Sequence, residues 1–313
     1  MNKNSRIYVA GHRGLVGSAI LNKLHEKGYT NLVYKTSAEL DLKNSNQVYD
    51  FFENENIEYV FLAAAKVGGI VANNDYPADF IRDNILIQTN VIDAAYKNNV
   101  KKLLFLGSTC IYPKLAKQPL KEEYLLTGEL EPTNEAYAIA KIAGIKMCES
   151  YNRQYGTNFI SAMPTNLYGP NDNFDLETSH VLPALIRKFH EAKVSGKDQV
   201  ELWGTGSPKR EFLHTDDLSD ACIFLMENYS DNEIVNIGIG EDIAIKDLAA
   251  KIRQIVSFDG EIVYDTSKPD GTPRKLVDVT KINELGWHAK TSLDEGLEET
   301  YKWFKDNIEA VKM

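Results

Sequence analysis

The chain of 313 residues is 43% hydrophobic and 26% charged, which suits one large domain or two unequal ones that share a cleft. Its net charge of −10 argues against a nucleic acid or an anionic membrane as a partner, because both repel an acidic protein. Three cysteines without metal-ligand spacing predict neither structural disulfides nor a metal site. No signal-peptide pattern is present, and the longest apolar stretch, residues 59–72, is too short to span a bilayer. We therefore expect a cytoplasmic protein.

Short apolar runs alternate with helical patterns through the first half of the chain. Strands are predicted at residues 6–10, 32–34, 59–63, 102–106 and 158–162. Helices are predicted after Gly14, over 77–98 and from about 137 to about 155. Strands that are almost wholly apolar and alternate with helices indicate a parallel sheet covered on both faces.

The pattern loosens after residue 170. Helices are predicted from about residue 181 and over 217–228, 245–256 and 293–307, with short strands at 200–203 and 210–213. We expect an α/β protein with a Rossmann-type doubly wound parallel sheet in residues 1–170. Residues 171–313 are expected to form mainly a smaller C-terminal α/β substrate lobe, and part of 207–240 to return to the first domain.

A glycine-rich turn follows the first strand and opens the first helix. Its residues are Gly11, His12, Arg13, Gly14, Leu15, Val16 and Gly17. Glycines at this spacing permit a tight turn and a close approach of the backbone to a pyrophosphate, which the helix N-terminus attracts. The strand-turn-helix context predicts dinucleotide binding, and the alternative is a purely structural turn.

The residues after the second strand bear on which dinucleotide is bound. An acidic residue usually bonds the ribose 2′-hydroxyl of NAD there, but this chain has Lys35, Thr36 and Ser37. These side chains, together with Arg13, suit a 2′-phosphate and favour NADP (NADPH) over NAD. The alternative is that Lys35 is only a solvated surface charge. Further along, Asp41 and Leu42 are candidates for contact with the adenine edge.

Tyr137 and Lys141 lie four residues apart in a predicted helix and therefore share one face. We expect the ammonium to lower the pKa of the phenol, so that Tyr137 can exchange a proton with a substrate oxygen. Ser108 follows the fourth strand, at the sheet edge where open α/β folds bind ligands, and its hydroxyl can bond the same oxygen. The alternatives are a chance Tyr–Lys spacing and a serine that only caps a loop.

Cys110 is two residues beyond Ser108, and in an extended strand end both side chains would point to the same side. A thiolate in a cleft can act as a base, although a cysteine is more often an inert hydrophobic residue. His180 lies where a polar loop meets a helical pattern, and its alternative is a structural or solvated histidine. Cys148 and Cys222 lie in apolar helical patterns and are assigned to the core.

Seven longer blocks of sequence carry a family resemblance. They are AGHRGLVGSAI from Ala10, AAAKVGGIVANN from Ala63, LGSTCIYPKLAKQPL from Leu106, EPTNEAYAIAKIAGIKMCESYNRQYG from Glu131, MPTNLYGPNDNF from Met163, REFLH from Arg210 and KPDGTPRK from Lys268. With these blocks the chain resembles the extended short-chain dehydrogenase/reductase family over essentially its whole length. The resemblance implies a two-step, NADPH-dependent conversion of GDP-4-dehydro-6-deoxy-D-mannose to GDP-L-fucose, by 3,5-epimerisation and then 4-keto reduction.

The resemblance also assigns roles to individual residues. It implies that Ser108, Tyr137 and Lys141 serve reduction and that Cys110 and His180 serve epimerisation. Besides the glycine turn and the Lys35–Leu42 stretch, the implied NADPH contacts are Ala63, Ala64, Ala65, Leu106, Gly107, Tyr137, Lys141, Pro164, Thr165, Asn166, Leu167 and His180. The implied GDP-sugar contacts are Ser108, Lys188, Trp203, Arg210, Asp270 and Lys275. Family members often have arginine at the positions of Ser37 and Lys188, and the family implies a homodimer formed through a helix bundle.

Three rival functions differ in features that the sequence can address. A sugar-nucleotide 4,6-dehydratase typically has an acidic pair after the serine or threonine, where this chain has Thr109 and Cys110. A 4-epimerase keeps NAD and an acid after the second strand. A non-catalytic NADP-binding regulator tends to lose the tyrosine or the lysine, and both are present here.

Overall fold

The computed structural model describes residues 1–268 and 270–309. Position 269, within the block KPDGTPRK, and the end of the predicted substrate lobe, residues 310–313, lie outside the described residues. Within the described part, no helix is both long and apolar enough to cross a membrane.

Six parallel strands form the main sheet, in the order β10-β5-β4-β3-β1-β2. They are β1 (Ile7–Ala10), β2 (Leu32–Val33), β3 (Tyr59–Leu62), β4 (Lys102–Leu106), β5 (Phe159–Pro164) and β10 (Val235–Ile237). The strand order reverses beside β1, as in a doubly wound fold, and the predicted Rossmann-type architecture is confirmed.

Among the described residues, five helices cover the two faces of the main sheet: α1 (Leu15–Glu26), α2 (Ser45–Glu55), α4 (Pro77–Lys97), α5 (Glu135–Tyr155) and α7 (Thr215–Asn228). The short helix α3 (Ile70–Asp75) lies between β3 and α4. Alternate residues of β1 supply two separate cores, because Tyr8 packs among residues of α2 and α4 while Ile7 packs among residues of α1 and α7. This two-sided burial explains why the strands are almost wholly apolar.

The remaining elements build a second layer beside the sheet, except that α9 (Thr280–Glu284) packs against β10 of the main sheet. The elements of the second layer are β6 (Asn166–Tyr168), α6 (Val181–Val194), β7 (Gln199–Trp203), β8 (Lys209–Arg210), β9 (Phe212–His214), β11 (Ile243–Ala244), α8 (Ile245–Val256), β12 (Glu261–Asp265), β13 (Arg274–Lys275) and α10 (Leu293–Asp306). Helices α6, α8 and α10 enclose a third core that contains Phe174, Phe189 and Phe304.

Two elements from the second half of the chain belong to the main sheet and the helices that cover it. Strand β10 pairs with β5 in the main sheet, and α7 packs against α1 on one of its faces. Ile282 and Trp287 also lie in the core beneath α1 and α7, so the returning chain includes a segment near residues 280–287 that the sequence analysis did not anticipate. The division into domains at residue 170 stays a prediction.

Candidate active site

Tyr137 and Lys141 lie in the first half of α5, on the side that packs towards β4. Lys141 is 3% exposed, and its ammonium donates a hydrogen bond of 2.7 Å to the carbonyl of Leu106 at the end of β4. The Lys141 nitrogen lies 4.9 Å from the centre of the Phe105 ring and 5.7 Å from the centre of the Tyr137 ring. The helix and the strand end therefore bring the phenol and the ammonium together.

The predicted lowering of the Tyr137 pKa is wrong, because burial dominates the environment of the phenol. Burial raises the pKa of Tyr137, negative charge at Cys110 raises it further, and a hydrogen bond with Ser108 opposes them. Burial also lowers the pKa of Lys141 to about 8. The phenol is thus neutral at neutral pH and suited to donate a proton, with a cation beside it to stabilise the resulting phenolate.

Ser108 and Cys110 are neighbours for a different reason from the one predicted. The chain is not extended after β4, because Ser108 begins a 3₁₀ turn over Thr109–Ile111. The Ser108 hydroxyl accepts a hydrogen bond of 3.3 Å from the backbone N–H of Cys110. The thiol of Cys110 in turn accepts a hydrogen bond of 3.4 Å from the side-chain amide of Asn134. Sequence analysis missed Asn134, although it lies in the block EPTNEAY just before Tyr137.

His180 precedes α6 in a loop that is hydrogen-bonded to the turn before α3. The backbone N–H of Gly69 donates a hydrogen bond of 2.8 Å to the carbonyl of Thr178. A Cβ on Gly69 would lie 2.6 Å from the carbonyl oxygen of Ser179, so the turn requires glycine there. His180 is exposed to solvent, and the surrounding protein displaces part of its hydration and lowers its pKa.

The turn that holds this loop also borders the tyrosine. Helix α3 follows Gly69 and packs against residues 132–134, immediately before α5. Phe80 of α4 lies edge-on to Tyr137, with 6.3 Å between the ring centres. The segment 66–80 therefore connects the loop of His180 with the group around Tyr137.

In the glycine turn after β1, close packing leaves no room for a side chain at Gly11 or Gly17, but it does leave room at Gly14. Gly11 has a positive φ of 87°, and a Cβ there would lie 2.8 Å from the backbone nitrogen of Ala64. A Cβ on Gly17 would clash with the carbonyl of Gly11. Gly14 caps α1, and a Cβ there would meet only the Gly11 carbonyl, at 3.5 Å. The missing side chain at Gly14 thus leaves the positive end of α1 open to an anion.

The loop after β2 contains an acid that the sequence analysis missed. Both the backbone N–H and the hydroxyl of Thr36 donate hydrogen bonds of 2.7 Å to the carboxylate of Glu39. These hydrogen bonds, and then the charges of Lys35 and Arg13, lower the pKa of Glu39. The Thr-x-x-Glu spacing was the available signal. Ser37 is exposed in the same loop.

The other predicted cofactor residues gather at one edge of the sheet. Those that follow or end β3, β4 and β5 are Ala63, Ala64, Ala65, Leu106, Gly107, Pro164, Thr165, Asn166 and Leu167. In the glycine turn, the ring of His12 lies 4.8 Å from that of Tyr34. Asp41 and Leu42 lie in the loop that leads to α2. This edge is where doubly wound sheets hold their ligands.

Basic residues of the second layer form a group beside this edge. Lys275 of β13 pairs in parallel register with Arg210 of β8, so two cations lie side by side. A cleft with Cys110 and Lys275 in its walls connects the thiol to this basic group. The arrangement can hold a diphosphate next to the reacting groups.

Trp203 ends β7 and is 57% exposed. The ammonium nitrogens of Lys188 and Lys268 lie 5.8 Å and 5.6 Å from the centre of its ring. Lys268 was not among the predicted site residues. The carboxylate of Asp270 accepts hydrogen bonds of 2.7 Å and 2.8 Å from the backbone N–H and hydroxyl of Thr205. Trp203 is thus available for stacking between two cations.

A wider surface groove lies between α8 and α10, with Lys251, Asp294 and Tyr301 in its walls. It contains none of the predicted site residues. Because its walls are mainly the charged outer faces of two helices, we consider the sheet edge the better candidate for catalysis.

Comparison with known proteins agrees with this fold. The family model described as the NAD dependent epimerase/dehydratase family matches residues 7–238, and the chain belongs to that family. The resemblance to extended short-chain dehydrogenases/reductases is thereby confirmed.

Among its relatives the chain is most usefully compared with three proteins. It is 62% identical to GDP-L-fucose synthase 1 of Arabidopsis thaliana, over 98% of this chain and 95% of that protein. It is 57% identical to the GDP-L-fucose synthase of Escherichia coli, over 96% and 97% of the two chains. The structure of a GDP-L-fucose synthetase from Naegleria fowleri bound to NADP superposes with a TM-score of 0.93, at 30% identity, and covers 100% of this chain and 98% of that one.

Proposed function

We propose that this chain converts GDP-4-dehydro-6-deoxy-D-mannose to GDP-L-fucose, by epimerisation at C3 and C5 and then NADPH-dependent reduction of the C4 ketone. The observation that carries the proposal is the proximity of a thiol, Cys110, to the set of Ser108, Tyr137 and Lys141. A plain reductase does not need that thiol. The identity of 62% and 57% to two GDP-L-fucose synthases supports the same substrate.

The residues at the sheet edge fit NADPH. The N-terminus of α1 is open at Gly14, where it can receive the pyrophosphate. Lys35 and Arg13 lie close enough to act together on Glu39, and they can hold a 2′-phosphate in the same way. When bound, NADPH supplies the hydride that reduces C4.

In the epimerisation, the C4 ketone makes the hydrogens on C3 and C5 acidic. The Cys110 thiolate takes such a proton, and the electron pair of the broken C–H bond is delocalised onto the ketone oxygen as an enolate. His180 then returns a proton to the opposite face of the ring. His180 gives this proton as the imidazolium and becomes the neutral imidazole, and its lowered pKa makes the imidazolium a stronger acid.

In the reduction, Tyr137 gives its phenolic proton to the C4 oxygen. Because burial keeps the phenol protonated, the proton is available at neutral pH. The resulting phenolate is stabilised by the buried cation of Lys141 and by the hydroxyl of Ser108.

The basic group of the second layer is assigned to the nucleotide. Arg210, Lys275 and Lys188 can neutralise the diphosphate, with Lys188 acting as a point charge. Trp203 offers an exposed ring for stacking, and Asp270 offers carboxylate lone pairs to the nucleotide while it anchors the loop at Thr205.

We also infer a homodimer through the outer faces of α4 and α5. These two helices pack against each other and expose Ile85, Leu86 and Ile139 to solvent. Two copies would bury these side chains in a four-helix bundle. Changing both Ile85 and Ile139 to Glu should halve the mass measured by light scattering, whereas Val194→Glu, at an exposed valine of α6, should leave it unchanged. A wild-type protein with the mass of one chain would refute the dimer. The cytoplasmic location stays a prediction.

The decisive experiment is to incubate the protein with GDP-4-dehydro-6-deoxy-D-mannose and NADPH and to identify the product by NMR. Tyr137→Phe should reduce the ketone about 10²- to 10⁴-fold more slowly, yet still exchange the C3 and C5 hydrogens with deuterated water. Cys110→Ser should lose this exchange and keep its affinity for NADPH. Normal exchange in Cys110→Ser would remove the thiol from the mechanism. A product other than GDP-L-fucose, or no consumption of NADPH, would refute the proposed reaction.

A further inference from the structure

Asn134 occupies the N-cap position of α5 but does not cap the helix. Asparagine is among the preferred N-cap residues, because its side-chain oxygen normally accepts a hydrogen bond from the first turn. Here the Asn134 side chain makes no such bond, and its Nδ2 donates instead to the Cys110 sulfur at 3.4 Å. Its Oδ1 is buried and has no hydrogen-bond partner among the described residues. The amide is thus directed to the thiol and not to its own helix.

Because Asn134 begins α5 and contacts Cys110, the thiol lies near the amino end of that helix. Helix α5 runs for 21 residues, and its amino end carries the partial positive charge of the helix dipole. From the same helix, the buried Lys141 and Tyr137 interact electrostatically with Cys110. The amide N–H, the helix end and the ammonium thus all present positive charge to the sulfur.

Other charged groups face Cys110 from the cleft that it shares with β13. They are Lys114, Glu131, Arg274 and Lys275. Glu131 and Lys114 form an ion pair at 3.0 Å, so their charges largely cancel. Arg274 pairs with Asp242. Because these groups are paired or belong to the surface of the cleft, the direct hydrogen bond from Asn134 is the contact most specific to the sulfur.

We propose that Asn134 is a positioning residue that orients the Cys110 sulfur and stabilises its thiolate for proton abstraction. This inference rests on the proposed function. The amide suits a group that alternates between two protonation states: Nδ2 donates to the thiolate, and after rotation of the amide Oδ1 accepts from the S–H. In the step itself the proton moves from ring carbon to sulfur, while the electron pair of the C–H bond remains on the substrate as the enolate. No oxidant or reductant is consumed.

Asn134→Asp tests the inference with almost no change of shape. A carboxylate accepts hydrogen bonds but donates none, so it withdraws the stabilising N–H and repels the thiolate. Aspartate is as good an N-cap as asparagine, so α5 should remain intact. The readout is the rate of alkylation by iodoacetamide as a function of pH, which does not depend on turnover. Cys148 and Cys222 are 1% and 0% exposed, and Cys110→Ser measures whatever they contribute.

We expect the midpoint of the alkylation profile to rise by about one pH unit in Asn134→Ala and by more in Asn134→Asp, the size of a lost hydrogen bond to a charged group. Solvent exchange at C3 and C5 should fall about tenfold at neutral pH and recover as the pH rises. NADPH affinity and the thermal unfolding midpoint should stay at their wild-type values. Asn44→Asp is the matched control, because it makes the same change at the N-cap of α2, where the asparagine does cap its helix.

An alkylation midpoint in a folded Asn134→Asp that equals the wild-type midpoint would overturn the inference. An equal shift of the alkylation midpoint in Asn44→Asp would also overturn it, since the shift would then result from the change in net charge and not from the contact with Cys110. Failure of the proposed function looks different: wild-type protein would show no ring exchange, while the alkylation midpoint would still move with Asn134.

Discussion

Reduction by this protein should depend on pH through Lys141. The charged ammonium stabilises the phenolate that Tyr137 becomes when it gives up its proton, and the neutral amine does not. Burial lowers the pKa of Lys141 to about 8, so the side chain is mostly charged one unit below that value and mostly neutral one unit above it. About nine tenths of the molecules carry the charge at pH ~7 and about one tenth at pH ~9. The rate of reduction should therefore fall about tenfold between these two pH values.

The assay follows NADPH absorbance at saturating substrate from about pH 6.5 to about 9.5. Exchange of the C3 and C5 hydrogens with deuterated water, measured without NADPH, serves as the internal control, because a thiolate base gains activity as the pH rises. Lys141→Arg is the matched variant. Its guanidinium stays charged throughout, so the alkaline fall should disappear, although the longer side chain is expected to lower the absolute rate in this buried position.

Two results would contradict this reasoning. A reduction rate that stays level to about pH 9 would show that the charge of Lys141 does not assist the step. An equal alkaline fall in Lys141→Arg would assign the titration to another group. Tyr137 cannot produce the fall, because burial moves its pKa upwards, away from this range.

Three further predictions concern the cofactor loop and two buried charged residues. Ser37→Asp should weaken NADPH binding relative to NADH about fivefold, equal to ~1 kcal/mol of repulsion from the 2′-phosphate, and equal affinities in the unaltered protein would contradict our view of the loop. Buried Glu211 accepts three backbone N–H groups, one of them from Val277. In Glu211→Gln the amide NH₂ would face one of these backbone N–H groups, which then loses its acceptor. The free energy of unfolding in urea titrations should fall by ~2 kcal/mol, and an unchanged unfolding midpoint would show that the Glu211 carboxylate does not stabilise the fold. Lys102 donates to three carbonyls at the end of α7. Lys102→Met should cost ~2–4 kcal/mol because buried carbonyls lose their partner, and a loss under ~1 kcal/mol would show that water replaces the ammonium.

Many of the helices and strands could be predicted because their signals are local. The predicted boundaries of β4 and α8 match the structure, since an apolar run and an amphipathic pattern each lie within a few consecutive residues. Helix α2 was not predicted, because it buries only Val48 and Phe52 and most of its residues are polar. Strand β10 has three residues and is a strand only because β5 lies beside it.

The predicted strand at 210–213 illustrates a limit of local reasoning. The structure divides it into β8, which pairs with β11 and β13, and β9, which pairs with β6. Glu211 lies between the two parts with its carboxylate buried against distant backbone N–H groups. The apolar residues Phe212 and Leu213 predict extended chain here, but only partners far along the chain decide which sheet each residue joins.

The sequence by itself determined the chemistry that is available, because residue type and short spacing are local properties. A glycine turn after β1, Tyr137 and Lys141 on one helix face, and Ser108 with Cys110 after β4 were all visible without coordinates. Only the tertiary structure decided the protonation states and the contacts between distant segments. Burial reverses the expected direction of the Tyr137 pKa, and Asn134 reaches the thiol from 24 residues away. The physical reason is that desolvation and hydrogen bonding depend on which atoms surround a group, and in a folded chain most of those atoms come from elsewhere in the sequence.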